Sequence, residues 1–547
     1  MNGEELLPYI ATDSGGPQQP VSEHWPVLIF IPTTIELQRF VLGRAFDKLA
    51  NSYKLVFVVP KVDAEDMRSA IVAHLPHAHI VELDVPTARF KRWSKLFSAA
   101  CFRYADRSRS FALRASLSFN DINPKLVRNL PKRVVPSVNW VLDKVTDLSF
   151  LPDRLRDRLS RANDALRYLA LESVASQYLD PGTYQRFVET TLADLQPLDS
   201  VVEILRGSRP LFAIIPSSLL DIFCNEVLWA CEIEKVPCLV LQSGWDNLSS
   251  KGVIHHQPTF LGAWGPQSRR HAAAIQAVPE HLSKSLGAPH YEMLRAVPQD
   301  ACVQFRRSLG IKADETLLLL GGSFRQFDES ETLQRLDEAI DRGQLGNAKI
   351  LYRPHPWRAD RQAEDNFFDL PWRHVVFDPD MESRYLRAKQ EPGYLKRSNP
   401  MYDMEYLGLL LSSVDAVVSP MSTLLIEAML LNKPTMAIAF GDGKHAYNPS
   451  LTAKMTHFQE LADGSSILWC VNSDRFIDQT RLLLNMVGQT DFLAAYRRVL
   501  SEIVQTGPGS YADRLAEFCT TTVAPAARLN RDQYQACGGS SGLGRLP

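Results

Sequence analysis

Short apolar runs rich in Val, Ile and Leu recur along the chain, and stretches with helical spacing of apolar residues separate them. Several runs end at Pro, Gly or polar residues, as strands do when they lead into loops. This alternation predicts parallel sheets covered by helices. The predicted strands fall into two series, 27–31, 55–59, 79–83, 211–215, 238–241 and 260–264, and then 316–320, 349–352, 374–377, 416–418 and 434–440.

Two series of strands predict two α/β domains in tandem. The boundary is expected near residues 289–299, where prolines and polar residues interrupt the pattern. The predicted division is a flexible segment 1–24, a first domain 25–295, a second domain 296–525 and a disordered Gly/Ser-rich tail 526–547. Residues 87–200 separate two strands of the first series with mostly helical periodicity, and they predict a helical insertion in the first domain.

Composition limits the class of protein. The 547 residues are 45% hydrophobic and 22% charged, with a formal net charge of -2, so bulk electrostatics does not favour nucleic-acid binding. The eight cysteines form no CxxC pair, which predicts a reduced chain in the cytoplasm. Neither a signal peptide nor a run of about 18 apolar residues is visible, so any membrane contact is expected to be peripheral, on the inner face of the membrane.

The charge is unevenly distributed. Residues 89–167 contain 18 Lys and Arg against 7 Asp and Glu, a local excess of +11. Within them, residues 89–97 alternate cations with apolar rings, as helices at a membrane interface do, and anionic lipid is an expected partner. An ordinary core helix with basic flanks fits the same pattern.

A polar loop bounded by glycines follows the run 238–241. It contains Trp245, Asp246, Asn247, Ser249, Ser250 and Lys251. In open α/β sheets, ligands bind outside the carboxyl ends of the strands, so this loop is expected to face a cleft. A structural turn, in which Asp246 bonds to its own backbone, is the alternative interpretation.

Two anion-binding elements are predicted in the second domain. Gly322, Ser323 and Arg325 follow the strand 316–320, where a tight turn could direct N–H groups at a phosphate. The sequence lacks a Walker lysine and the full Rossmann fingerprint. After the strand 349–352, two prolines hold His355 beside Arg353, a rigid cationic setting that suits a leaving nucleotide.

A third element begins where the run 416–418 ends. Ser419 closes the strand, and Ser422 or Thr423 could cap the helix that follows. Glu427 lies one turn into this apolar helix, where a carboxylate needs a hydroxyl or a cation as partner. A ribose diol would satisfy it, and a capping arrangement of Ser and Glu is the alternative.

Together, these elements resemble nucleotide-sugar transferases of the GT-B class. The likeness is greatest to bacterial surface-polysaccharide proteins related to the CDP-glycerol glycerophosphotransferases and the nonhydrolysing UDP-sugar 2-epimerases. Its residues are the loop 243–252, the Arg-Pro-His-Pro at 353–356 and the Ser-x-x-Ser-x-x-x-x-Glu-Ala at 419–428, and it covers about residues 205–445. The resemblance implies an α/β, GT-B-like fold: two Rossmann-like domains with an interdomain cleft.

The resemblance also implies roles for the candidate residues. The donor nucleotide sugar would be a substrate held without metal or cofactor, mainly by the second domain. Asp378-Pro379-Asp380 fits a metal motif in spacing, but its proline favours a turn. Glycerophosphotransferases use a histidine of the first-domain loop as base, and here Asp246 stands in that neighbourhood. The implied roles are acceptor deprotonation by Asp246, an acceptor or phosphate contact by Lys251, diphosphate contacts by Gly322, Ser323 and Arg325, leaving-group stabilisation by Arg353 and His355, helix-end contacts by Ser422 and Thr423, and ribose binding by Glu427.

The predicted activity is sugar transfer from a nucleotide sugar to a hydroxyl of a glycan or lipid-linked acceptor in bacterial cell-surface polysaccharide synthesis. A phosphotransferase acting on a CDP-polyol donor would use the same elements. A UDP-sugar 2-epimerase is disfavoured because the long basic insertion suggests a bulky acceptor. A non-catalytic scaffold that binds nucleotide sugars or glycans is the alternative outside enzymes.

Overall fold

Two parallel sheets form the framework, as the apolar runs predict. The structure is a computed structural model, and it describes residues 25–84, 93, 100–101, 104–105, 107–118, 196–218, 222–323, 327–355, 370–391, 403–443, 448–464 and 467–536. The first sheet contains β1 Val27–Phe30, β2 Leu55–Pro60, β3 His79–Leu83, β4 Phe212–Ser217, β5 Cys238–Gln242, β6 Phe260–Ala263 and β7 Ser283–Ser285. The second contains β8 Thr316–Gly321, β9 Ala348–Arg353, β10 Val375–Phe377, β11 Ala416–Pro420, β12 Thr435–Ile438 and β13 Leu468–Cys470.

Helices cover both sheets. Among the described residues they are α1 Thr34–Glu36, α2 Ala64–His74, α3 Arg109–Ser118, α4 Asp199–Ser208, α5 Ile222–Glu234, α6 Pro266–Ala274, α7 Gln299–Ser308, α8 Glu329–Asp341, α9 Pro379–Gln390, α10 Met404–Ser413, α11 Leu424–Leu430, α12 Pro449–Thr452, α13 Thr456–Gly464, α14 Phe476–Asn485, α15 Leu493–Ile503, α16 Tyr511–Phe518 and α17 Ala524–Ala536. Two π-helical turns, Leu37–Leu42 and Asn247–Lys251, follow β1 and β5 in the first domain.

Strand order explains where a cleft can form. The first sheet runs β3-β2-β1-β4-β5-β6-β7 and the second runs β10-β9-β8-β11-β12-β13, with every strand pair parallel. In each sheet the order reverses once, between β1 and β4 and between β8 and β11. Ligands of such sheets bind outside the carboxyl ends of the strands at these switch points. The two-domain α/β fold is therefore confirmed.

The predicted strands were found because they are buried on both faces. Every residue of β1 and β5 is buried, which gives the continuous apolar runs typical of parallel sheets. β7 and β13 were not predicted. Each is an edge strand of three residues, and β7 carries Ser, Lys and Ser, so neither leaves a readable pattern.

The last helices of the chain pack on the first domain. The predicted division instead assigned residues 296–525 to the second domain. Gln505 N donates to the Trp264 carbonyl over 2.8 Å, and a Cβ on Gly265 would lie 2.6 Å from the carbonyl oxygen of Ile503. Helix α16 then packs into the core of the first sheet through Tyr511, Leu515 and Phe518. Helix α17 continues to residue 536, well into the predicted tail, because its apolar residues also join this core. Residues 1–24 and 537–547 lie outside the described residues.

The predicted insertion, residues 87–200, falls between β3 and β4 along the chain. Most of it lies outside the described residues, including all of 89–97 except Trp93. That indole is buried, and its Nε1 donates to Glu226 of α5 over 2.9 Å, so this ring faces the protein and not a membrane. Within the described part of the chain, no helix is both long and apolar enough to cross a membrane.

Arg514 of α16 is the principal polar contact of the returning segment. Its guanidinium donates to the carbonyl of Leu286 over 2.9 Å, to the carbonyl of Gln505 over 3.3 Å and to Glu292 Oε1 over 3.1 Å. The side chain is 9% exposed. Removing it leaves a half-buried carboxylate and buried carbonyls without their donor.

We therefore expect Arg514→Ala to lower the free energy of unfolding by about 3 kcal/mol, measured by urea unfolding. The matched control is Arg342→Ala, which removes an ion pair to Glu338 on the exposed surface of α8. That control should leave the unfolding midpoint unchanged, because exposed pairs contribute little. Equal midpoints for the two variants would contradict the role assigned to Arg514.

Candidate functional site

Arg39 is a first-domain side chain at the candidate site. It lies in the π-helical turn Leu37–Leu42 after β1, and its Nη1 donates to the Ser243 carbonyl over 2.6 Å and to Ser243 Oγ over 3.2 Å. A Cβ on Gly244 would lie 3.2 Å from the same nitrogen. Arg39 thus ties the turn after β1 to the loop after β5, and its hydrogen bonds go to neutral groups.

Glu427 faces Arg39 from the second domain. It lies in α11, after β11, and is buried. Thr423 and Tyr291 lie near its carboxylate, and Arg353 and Arg39 are close enough to act on its charge. Burial outweighs these partners and raises the pKa of Glu427 to about 7. Groups of both domains therefore converge on one carboxylate.

The predicted capping of α11 by a side chain is not found at Thr423. Thr423 occupies the N-cap position but makes no side-chain cap hydrogen bond, and it lies near the Glu427 carboxylate. The hydroxyl of Ser422 lies 2.9 Å from that of Ser419, which donates to the Pro420 carbonyl. The four predicted residues at 419–427 are thus brought together at the carboxyl end of β11.

Arg353 ends β9 and is largely neutralised. Its Nη1 pairs with the buried Asp378, which also accepts a hydrogen bond from Tyr406 over 2.6 Å. Asp378 also accepts from the N–H of Asp380 as the N-cap of α9, and Asp380 pairs with Arg384 over 3.0 Å. The Asp-Pro-Asp is thus the start of helix α9, where the sequence predicted a turn.

The backbone N–H groups of the glycine loop after β8 donate to other groups of the protein. Gly322 N donates to the Arg353 carbonyl over 2.7 Å, and Ser323 N donates to Glu329 Oε1 over 2.6 Å. Both N–H groups expected to hold a phosphate therefore already have acceptors. Glycine is needed at 322 because a Cβ would lie 2.6 Å from His355 N. The backbone of His355 is thereby placed beside this loop, while Arg325 lies outside the described residues.

The polar loop after β5 is mostly interior. Trp245, Asn247, Ser249 and Ser250 are 0–1% exposed. Trp245 Nε1 donates to Gln267 over 2.6 Å, and Ser249 Oγ lies 3.0 Å from His457 Nδ1 of α13. Ser249 and the Trp245 ring, which packs on His457 and Phe458, hold the loop against the second domain. In this conformation, direct contact with an acceptor is not open to these four buried side chains.

Asp246 and Lys251 keep partial exposure, at 21% and 36% of their side chains, and they pair over 3.0 Å. Burial opposes ionisation of Asp246, but the Lys251 ammonium holds the pKa of this carboxyl well below its usual range. A carboxylate with so low a pKa is a weak proton acceptor near neutral pH. The role of Asp246 as base stays a prediction, and its ion pair weighs against it.

Sequence reasoning missed Arg39, Tyr291 and His290. Arg39 follows a predicted strand within ten residues, so the argument used for the loop after β5 would have found it. His290 and Tyr291 lie in the turn Pro289–Glu292, which was interpreted only as a boundary. His290 packs on Trp264 and Tyr291, its Nδ1 has no hydrogen-bond partner among the described residues, and burial with Arg39 nearby holds its pKa well below usual.

Comparisons with known proteins find likeness in structure. No protein-family model matches the chain, and no curated protein matches it in sequence. UDP-N-acetylglucosamine 2-epimerase from Rickettsia bellii is 12% identical, with 92% of this chain and 99% of that chain covered, at a TM-score of 0.47. A glycosyltransferase from Rickettsia africae ESF-5 is 9% identical, with 95% and 100% covered, at 0.42. The wall teichoic acid polymerase TagF is 9% identical, with 93% and 90% covered, at 0.41.

These are the classes of protein that the motifs at 243–252, 353–356 and 419–428 resemble. At such identities, and with TM-scores below 0.5, the likenesses do not assign an activity to this chain.

Glu427 makes stability depend on pH in a direction that can be tested. Its pKa rises from 4.5 to about 7 on folding, so the folded state favours the protonated form. Stability from this group is complete below pH 4.5 and is lost as pH rises through about 7. Relative to Glu427→Gln, the wild-type chain should therefore lose on the order of 3 kcal/mol between pH 4.5 and pH 8.

Urea unfolding of both proteins across this pH range measures the difference, in which the titrations common to both proteins cancel. Parallel stability curves would show that the Glu427 carboxyl titrates normally.

Proposed function

We propose that this chain is a glycosyltransferase that moves a sugar from a nucleotide-activated donor to a hydroxyl of a glycan or lipid-linked acceptor in bacterial cell-surface polysaccharide synthesis. The observation that carries the proposal is Glu427, a buried carboxylate at the switch point of the second sheet with partners from both domains. A carboxylate in this place can accept two hydrogen bonds from a ribose diol. The motif resemblance supplies the reaction class.

Cations near Glu427 support binding of a phosphorylated ligand. The positive charge of Arg353 is neutralised by its ion pair with Asp378. Arg39 instead donates to a carbonyl and a hydroxyl of Ser243, which are uncharged, so its positive charge can act on a ligand in the cleft. A diphosphate beside Arg39 would gain charge-assisted hydrogen bonds. In the proposed division, Glu427, Thr423 and Ser422 hold the nucleoside, Ser419 shapes the end of the strand, and Arg39, Arg353 and His355 face the diphosphate.

In the proposed sugar transfer, the acceptor oxygen attacks the anomeric carbon of the donor. The bond from that carbon to the donor phosphate oxygen breaks, and the electron pair leaves with the nucleoside diphosphate. The acceptor proton passes to a base, for which Asp246 is the sequence-based candidate. Asp246 could act as the base only if its ion pair with Lys251 breaks, which requires another partner for the ammonium, such as a phosphate or an acceptor carboxylate. No metal is required by this scheme, because the charge is borne by side chains.

The donor site predicts selective nucleotide binding. A thermal-shift panel of UDP, GDP and CDP should show a rise in melting temperature for one nucleotide, because a ligand that binds only the folded state stabilises it. Glu427→Gln should weaken that binding about tenfold or more, since a charged hydrogen-bond acceptor is lost. The control Glu338→Gln alters an exposed glutamate of α8 and should bind as the wild-type chain does.

Products separate the alternatives. Release of a nucleoside diphosphate from a nucleotide sugar supports sugar transfer, whereas release of CMP from a CDP-polyol identifies a phosphotransferase. Nucleotide binding without turnover on any acceptor identifies a scaffold. Absence of stabilisation by every nucleotide would overturn the proposal.

Asp246→Asn tests the base. Turnover should fall by about 10²- to 10⁴-fold, the usual contribution of a general base, while nucleotide affinity stays unchanged. Asp341→Asn, which alters a surface carboxylate of α8 paired with Arg373, is the control and should keep full turnover. Wild-type turnover in Asp246→Asn would show that another group acts as the base. Glu427 would then be the first candidate, because its pKa of about 7 suits proton exchange at neutral pH.

Peripheral contact of the basic residues within 89–97 with anionic lipid at the inner face of a membrane is part of the proposal, with Trp93 excepted because its indole is buried against Glu226. Its support is the excess of positive charge across 89–167.

A further inference from the structure

The start of the insertion lies between the two domains at the candidate site. Ser108 precedes α3 and is buried. Its hydroxyl donates to the Ser249 carbonyl over 2.7 Å and lies 3.0 Å from Thr456 Oγ1. Because the single hydroxyl hydrogen of Ser108 goes to Ser249, Thr456 is the donor of the second bond. One side chain therefore joins the insertion, the loop after β5 and helix α13 of the second domain.

A second pair of contacts closes this junction. Thr456 N donates to Ser110 Oγ over 2.9 Å, so the first turn of α3 and the first turn of α13 are held together twice. Ser249 Oγ in turn lies 3.0 Å from His457 Nδ1. Burial lowers the pKa of His457 to about 3, so its imidazole is neutral and serves here as a hydrogen-bond partner and not as a charge. The loop is thus fixed to the second domain through uncharged groups.

The insertion is itself anchored, so α3 is a firm support. Glu226 of α5 accepts from Trp93 Nε1 over 2.9 Å near the start of the insertion and from Leu198 N over 3.1 Å near its end. Phe111 of α3 is fully buried and packs with Val253 and Ile275, beside the same loop. Helix α3 is thus held beside the loop through Phe111, Ser108 and Ser110.

The loop needs this support because it is an unusual turn. Residues Asn247–Lys251 form a π-helical turn, in which the Ser249 carbonyl finds its partner in Ser108. A buried carbonyl without a donor would cost free energy comparable to a lost hydrogen bond. The ion pair of Asp246 and Lys251 spans this turn, so its geometry depends on the turn being kept.

We propose that Ser108 is a positioning residue of the transfer reaction: it holds the turn Asn247–Lys251 against the second domain and thereby sets where Asp246 and Lys251 meet the acceptor. The role in acceptor use rests on the proposed function, whereas the hold on the turn does not. Ser108 and the first turn of α3 are in consequence part of the acceptor side of the site.

Ser108→Ala in the full chain tests the proposal by two independent measurements. Amide hydrogen exchange in residues 247–251 should quicken about three- to tenfold, because one net hydrogen bond is lost. The acceptor KM should rise by a similar factor while the dissociation constant of the nucleotide stays unchanged. Ser108→Thr, which keeps the hydroxyl, should restore both values, and Thr456→Val should have a smaller effect because the bond to Ser249 survives.

The matched control is Ser208→Ala, which removes a hydroxyl that bonds only within α4, to the Ile204 carbonyl over 2.5 Å. It should leave exchange in 247–251 and the acceptor KM unchanged. Unchanged exchange in Ser108→Ala overturns the positioning role whether or not the chain is a transferase. Faster exchange with an unchanged acceptor KM shows that Ser108 supports the fold alone and overturns its role in the reaction.

Discussion

The buried amide of Gln242 fixes the two tryptophans on which the domain interface is built. Its Nε2 donates to the carbonyls of Gly244 and Trp245 over 2.9 and 3.1 Å, and its Oε1 accepts from the backbone N–H of Trp264, while the backbone carbonyl of Gln242 accepts from the Trp264 indole. Both rings lie in one apolar cluster that continues into the second domain through residues such as Leu425 and Met429 of α11. Burying a tryptophan stabilises by about 4 to 6 kcal/mol. Gln242, at the end of β5, therefore fixes the two rings through which the first domain packs on the second.

Within the cleft so formed, charge is unevenly compensated. The Arg353–Asp378 pair and the Glu329 carboxylate behind the glycine loop satisfy groups that could otherwise have met a phosphate. Arg39 and Glu427 are left opposite each other, one from each domain, with neutral hydrogen-bonding partners. A ligand that offers an anion to Arg39 and hydroxyls to Glu427 fits this pattern, and a nucleoside diphosphate has both.

Much of the fold could be predicted because parallel strands buried on both faces leave apolar runs, and the helix start at 419–427 could be predicted because Ser, Thr and Glu there follow such a run. Arg39 was within reach of the same reasoning. The burial of Trp245, Asn247, Ser249 and Ser250 was not, because their partners Gln267 and His457 stand far along the chain and only tertiary structure brings them near. Glu329, by contrast, is only 6 residues from Ser323, and sequence reasoning overlooked it because it treated the glycine loop as open to a phosphate.

The return of the last helices to the first sheet has a consequence for biosynthesis. The core of the first domain, which contains Val27 and Phe57, also contains Tyr511, Phe518, Val523 and Ala527 from the end of the chain. This core therefore stays incomplete until almost the whole chain has left the ribosome. The second sheet, by contrast, is complete in sequence by β13. Folding during synthesis would then run against chain order: the later sheet closes first, and the earlier one waits for the final helices to cover it.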